Sequence, residues 1–204
     1  MATNLYAPNG LAYSNQRVGG ATTFQQNRYY IKNGYASSIG MGDLVQMGTG
    51  GNQGFIIIGA QAASASLGVF GGVLPYYDSV LQGVGHGTNG AYSSTLSPPA
   101  GVNIPCVVAD DPFATFLAQV SGGPYVQTWQ GQNINWLTGT NGAPNISGRS
   151  VLALDGTSVS TDPSLPFQIV DVAGLSGGPQ DPANTNPWIL VRLNRAQILS
   201  QTGI

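Results

Sequence analysis

Short apolar runs closed by Gly, Pro or Asn recur along the chain, and no sustained helical period separates them. NRYYIK (27–32), DLVQM (43–47), GFIIIGA (54–60) and LGVFGGV (67–73) predict strands. PCVVA (105–109), ATFLAQV (114–120), YVQTW (125–129), VLALD (151–155), FQIVDVA (167–173) and WILVRLN (188–194) continue the series. Within Phe167-Gln168-Ile169-Val170-Asp171-Val172 the character alternates, as in a strand with one face in a core and one in water. Asn33-Gly34, Thr49-Gly50-Gly51-Asn52 and Asp155-Gly156 follow or separate such runs and read as turns. Gly and Pro leave two short helix candidates, 111–118, which overlaps one of the strands, and 194–201. The pattern predicts an all-β protein, an antiparallel barrel or sandwich.

Residues 1–22 have little periodicity and predict an extended N-terminal arm rather than a core element. Residues 23–204 form the β-rich domain, with room for a division into two small β subdomains near residue 104. The polar, Gly-rich segment 74–104 reads as a long contact-making loop, and 176–187 as a stiff, Pro-rich connector.

Composition narrows the function. Hydrophobic residues make up 42% of the 204, enough for a core, but charged residues only 7%, with a net charge of −2 and no Glu. No basic field is present to hold nucleic acid. The polar content is Asn, Gln, Ser and Thr, a neutral hydrogen-bonding surface suited to packing into an assembly. A single cysteine, Cys106, excludes an internal disulfide or a cysteine metal cluster, and its IPCVV setting predicts a buried, inert thiol. The start MATNLYAPNG lacks a basic, then apolar, leader, and no apolar run approaches the ~20 residues of a membrane helix. The expectation is a soluble protein made in the cytoplasm, without a membrane partner.

Candidate chemistry is sparse. Asp110-Asp111-Pro112 sits between apolar runs, a hydrophobic frame of the kind that surrounds a general acid/base pair. Adjacent residues of an extended chain point to opposite faces, however, and Asp before Pro caps turns, so a structural role is expected. His86, in GVGHGTNG, has no GxSxG elbow to serve. Asp181, Asn184 and Asn186 are too few and too loosely spaced for calcium, and Asn145-Ile146-Ser147 is a glycosylation sequon without meaning unless the chain is secreted. No catalytic, cofactor-binding or metal residue is assigned. Tyr and Arg favour interfaces, so Leu5, Tyr6, Tyr13 and Arg17 on the arm, Tyr76 and Tyr77 in the long loop, and Arg192 and Arg195 near the end are the candidate contacts. Trp129, Trp136 and Trp188 would form a sugar-stacking platform if exposed together.

APNGLAY, RYYIKNGYASSIGMGDLVQM, SLGVFGGV, CVVADDPFATFLAQV, ISGRSVLALD, FQIVDVAG and WILVRLNRAQILSQTGI occur in this order over nearly the whole chain. As an ordered set they resemble a group of virion structural proteins of tailed bacteriophages that look like capsid decoration, or cement, proteins. The resemblance implies a non-enzymatic protein in the capsid of the virion, bound to the major capsid protein and to itself as a dimer or trimer, the trimer preferred. It supplies no motif from which a functional residue could be carried over. A carbohydrate-binding or host-adhesion β domain, a hydrolase using Asp110 or Asp111 with His86, and a tail or head-completion component are the competing readings.

Overall fold

The computed structural model describes residues 8, 10–13, 26–60, 66–78, 82–85, 89–93, 100–111, 113–173, 183 and 185–194. These residues are all-β; single turns of 3-10 helix at Gly50–Asn52 and Gln127–Trp129 are their only helical pieces. The strands of the first half are β1 (Ala12–Tyr13), β2 (Asn27–Ile31), β3 (Leu44–Met47), β4 (Ile56–Ile58), β5 (Gly68–Val73), β6 (Tyr76–Asp78), β7 (Gly83–Gly85) and β8 (Ile104–Ala109). The second half adds β9 (Thr115–Ser121), β10 (Asn133–Trp136), β11 (Leu154–Ser160), β12 (Phe167–Val172) and β13 (Trp188–Leu193).

The first sheet has the order β2-β8-β5-β3-β4, antiparallel throughout. It curls until Cα atoms of its edge strands, β2 and β4, lie within 8 Å of each other. Inside the curl lie Ile31, Ile39, Val45, Ile56, Phe70, Tyr92, Ile104, Cys106 and Val108. The second sheet runs β9-β11-β10-β12-β13 and closes back on β9, which makes a five-stranded barrel. Closure removes every edge along that path. Alternate residues of β9, β12 and β13 fill the barrel: Phe116, Ala118, Val120, Phe167, Ile169, Ile189, Val191 and Leu193. Among the described strand pairs the expected antiparallel arrangement fails once, because β9 and β11 pair in parallel, Leu154 opposite Val120. A parallel pair needs a long crossover, and the chain between them supplies it, with β10 inside.

The two sheets share their packing. Leu44, Val69 and Ala109 of the first sheet belong to the same apolar cluster as Phe116 and Leu154 of the barrel. The chain passes from one sheet to the other between Ala109 and Thr115.

Four local expectations are corrected. Residues 115–118 are in a strand, not a helix, since the face of β9 carrying Phe116, Ala118 and Val120 is buried with a period of two. YVQTW is not a strand; Tyr125 leads into a 3-10 turn, and its ring meets Trp129 edge-on at 5.8 Å. Asp155-Gly156 is no turn, because β11 runs through it. Gly156 is small for a packing reason: a Cβ there would lie 3.0 Å from the Ser121 carbonyl oxygen of the neighbouring strand. Segment 74–104 holds the β6–β7 hairpin and a fully buried Tyr92, so it is not simply a loop.

The N-terminal arm also enters the fold. β1 lies along β9 on the side opposite β13, with Ala12 opposite Leu117 and Tyr13 opposite Phe116. The Leu11 side chain is buried in the shared cluster, and its N–H donates to the Gly42 carbonyl at 2.9 Å. Gly10 has φ +71° and lies so close to Ser150 that a Cβ would come within 2.6 Å of the serine Cβ. A Leu11→Ala change is expected to lower unfolding free energy by about 2–4 kcal/mol, from lost transfer and a residual cavity. Urea denaturation reads this directly; a loss below about 0.5 kcal/mol would mean that the segment is not part of the core.

Candidate functional site

Two carboxylates, Asp43 and Asp110, are almost completely buried among the described residues. A buried charge must be bonded or neutralised, so these two are where chemistry or architecture has been built.

Asp110 ends β8. Its Oδ1 and Oδ2 each accept from the Asn27 side-chain amide at 2.9 Å, and Oδ2 accepts from the Tyr29 hydroxyl at 2.6 Å. Both partners come from β2, so the carboxylate ties the edge strand to its neighbour. Burial, then the hydrogen bond to Asp110 and its charge, push the Tyr29 hydroxyl well above the ordinary tyrosine range. Tyr29 therefore stays a donor at any physiological pH. Asp111 does not face the same space. Its Oδ1 accepts from the Phe113 N–H at 2.8 Å, a turn closed by an Asp side chain. The adjacent acids are thus divided between a strand tie and a turn. His86 lies outside the described residues.

Asp43 sits where three segments meet. The turn Gly40–Asp43 closes with the Asp43 N–H on the Gly40 carbonyl at 3.0 Å. Oδ2 accepts from the Gly40 N–H at 2.6 Å, and Oδ1 accepts from the Ser150 hydroxyl. The Gly142 N–H donates to the same carboxylate. Ser150 Oγ in turn accepts from the Leu152 N–H at 2.9 Å. Around this node Met41 pairs in parallel with Arg149: the Met41 N–H donates to the Gly148 carbonyl, and the Ser150 N–H to the Met41 carbonyl. Asn141 strengthens the same seam. Its side chain accepts from the Leu44 N–H at 2.9 Å and donates to the carbonyls of Leu44 and Gly59 at 3.1 and 3.0 Å. The node therefore fastens the first sheet to the segment that leads into β11.

Among the described residues no cation contributes to this site. Burial raises the Asp43 pKa to about 6, although the bonds from Ser150, Gly40 and Gly142 pull it down. Burial likewise pushes the Cys106 thiol up to about 12, which makes it inert as expected.

The remaining predicted residues scatter. Leu5, Tyr6, Arg17 and Arg195 lie outside the described residues, as do Asp181 and Asn184. Tyr13 and Tyr77 are placed as strand backbone, opposite Phe116 and Val84. Tyr76 is buried in the core of the first sheet, so its ring is not available as a surface contact. Arg192 is exposed on β13, and its Nε donates to the Gln168 side chain across the ladder at 2.7 Å. Asn186 accepts from the Gly122 N–H at 3.2 Å and has φ +56°, which makes it a turn residue. Trp136 is buried against Phe167, while Trp129 and Trp188 are half-buried, so the three indoles do not make an exposed platform. Asp43 and Ser150 went unnoticed in the sequence. The only local signal was an acid placed directly before an apolar strand. No family model, curated protein or solved structure matches the chain.

Two outcomes separate architecture from chemistry. Asp110→Ala should cost about 1–3 kcal/mol of stability, because it leaves the Tyr29 and Asn27 donors unpaired; an unchanged urea midpoint would refute the tie. For Asp43 the folded pKa, about 6, lies above the unfolded value near 3.8. The folded state then holds the proton more tightly, so its stability contribution is full below about pH 4 and is lost as pH rises through about 6. Asn at this position imitates the protonated acid. The stability of the native protein relative to Asp43→Asn should therefore fall by on the order of 3 kcal/mol between pH 4 and 7. Equilibrium denaturation of both proteins across that range checks the sign, and a rising difference would overturn it.

Proposed function

We propose that the protein is a structural component of a tailed-phage virion, a cement protein that binds the outside of the head and bridges neighbouring major capsid subunits. The observation that carries this reading is the use made of the two buried carboxylates. Asp43 and Asp110 accept hydrogen bonds from within the fold, and both serve to fasten strands and segments together. A rigid body of this kind, with 7% charged residues overall, is suited to recognition by shape and neutral hydrogen bonding rather than by charge steering. The ordered segments that resemble phage decoration proteins support the same reading.

In this role the protein works by adding contact area. Stable association buries roughly 1,600 Å², and an array of copies multiplies a modest affinity through avidity. The reading includes the major capsid protein and other copies of this chain as partners, and no catalytic step.

Quantitative mass spectrometry of purified virions tests it. Copy numbers in the hundreds are expected; a dozen or fewer would move the protein to the tail or portal, and absence from particles would overturn the proposal.

A further inference from the structure

Beside the Asp43 node the seam opens into a cleft of about 220 Å³. Val69, Phe70, Ala109 and Phe116 line it with apolar surface, and Gln26 and Arg149 bring polar groups to it. β5 bulges between Phe70 and Gly72, and Gly71 has no side chain because the Gln26 amide packs there, 2.6 Å from where a Cβ would stand. An apolar cavity of about 150 Å³ takes up benzene, so this one has room for an aromatic ring. Arg149 is exposed and forms no ion pair with another described residue. The matching occupant is a large apolar side chain with a carboxylate close by in its own chain.

The protein carries that combination on its surface. Phe113 is 60% exposed, and Asp111 precedes it by two residues. The hydrogen bond from the Phe113 N–H to Asp111 Oδ1 holds ring and carboxylate in a fixed relation. Both lie on the turn between Ala109 and Phe116, residues that themselves line the cleft. Plug and socket therefore share one face of the molecule, the arrangement that a two-fold, self-complementary contact requires.

We propose that this face joins two copies of the chain, with Phe113 of each seated in the cleft of the other and Asp111 paired with the opposite Arg149. Exposed aromatic and arginine anchors of this type dominate binding energy at interfaces. The proposal does not depend on the protein's being a virion component.

Sedimentation equilibrium of the full chain up to about 200 µM tests it, with a monomer–dimer equilibrium in the micromolar range expected. Phe113→Ala removes two buried rings per dimer and should weaken association at least about a hundredfold, with circular dichroism of the monomer checking that the variant folds. Arg149→Gln, and Asp111→Asn, which keeps the turn's acceptor, should each weaken it several-fold. A wild-type protein that stays monomeric, one that ends as a trimer or open polymer, or a Phe113→Ala protein that associates as before would each overturn the proposal.

Discussion

A carboxylate with no counter-ion among the described residues, held where three segments of the chain converge, is the constraint on which the arrangement of the two sheets depends. Removing a carboxylate from water costs several kcal/mol even after relaxation, and at Asp43 three donors offset that cost: the Ser150 hydroxyl and the N–H groups of Gly40 and Gly142. They do so only if already aimed at the oxygens when the segments meet. Close approach of backbones makes this alignment achievable. At Gly40 a Cβ would stand 2.9 Å from the Ser150 nitrogen, so only glycine lets the turn reach the strand-like segment at 148–150. The Met41 pairing and the Asn141 bonds then repeat the connection on either side. One polar node thus fixes how the curled first sheet sits on the barrel, while the shared apolar cluster supplies most of the burial.

That division of labour shapes what the molecule can do. Apolar packing is tolerant of small shifts, whereas a bonded buried polar group favours one alignment over its neighbours. Asp110 repeats the device at the edge of the first sheet, where it holds β2 to β8 through Asn27 and Tyr29. With its buried acids employed in this way, the protein offers a neutral surface, a cleft beside the seam and an exposed phenylalanine, all features of recognition by fit. The functional reading and the self-association surface follow from the same economy of charge, although each stands on different residues.

Much of the secondary structure was legible because its signal is local. The alternation in 167–172 and the apolar runs at 104–109 and 188–193 report strands with a buried face, the Tyr29-Tyr30-Ile31 run reports a strand, and each forms one. Cys106 was legible as a buried thiol from its apolar neighbours alone. The separate duties of Asp110 and Asp111 were legible from stereochemistry, since neighbours on an extended chain cannot face one point. Signals failed where a residue's size answered to a distant partner. Gly156 looks like a turn residue but is small because β9 passes beside it, and Leu11 and Tyr92 sit in polar, Gly-rich stretches yet complete the cores.

By itself, then, the chain's pattern determined the all-β class, most strand positions and the shortage of charge, because period-two burial and composition need no knowledge of the rest of the molecule. Only the tertiary structure decided the closure of β13 on β9, the parallel β9–β11 pair and the meeting of Asp43 with Ser150. Those two residues are 107 positions apart. Contacts at such separation arise from the folding of whole sheets onto one another, and no window of neighbouring residues carries a trace of them.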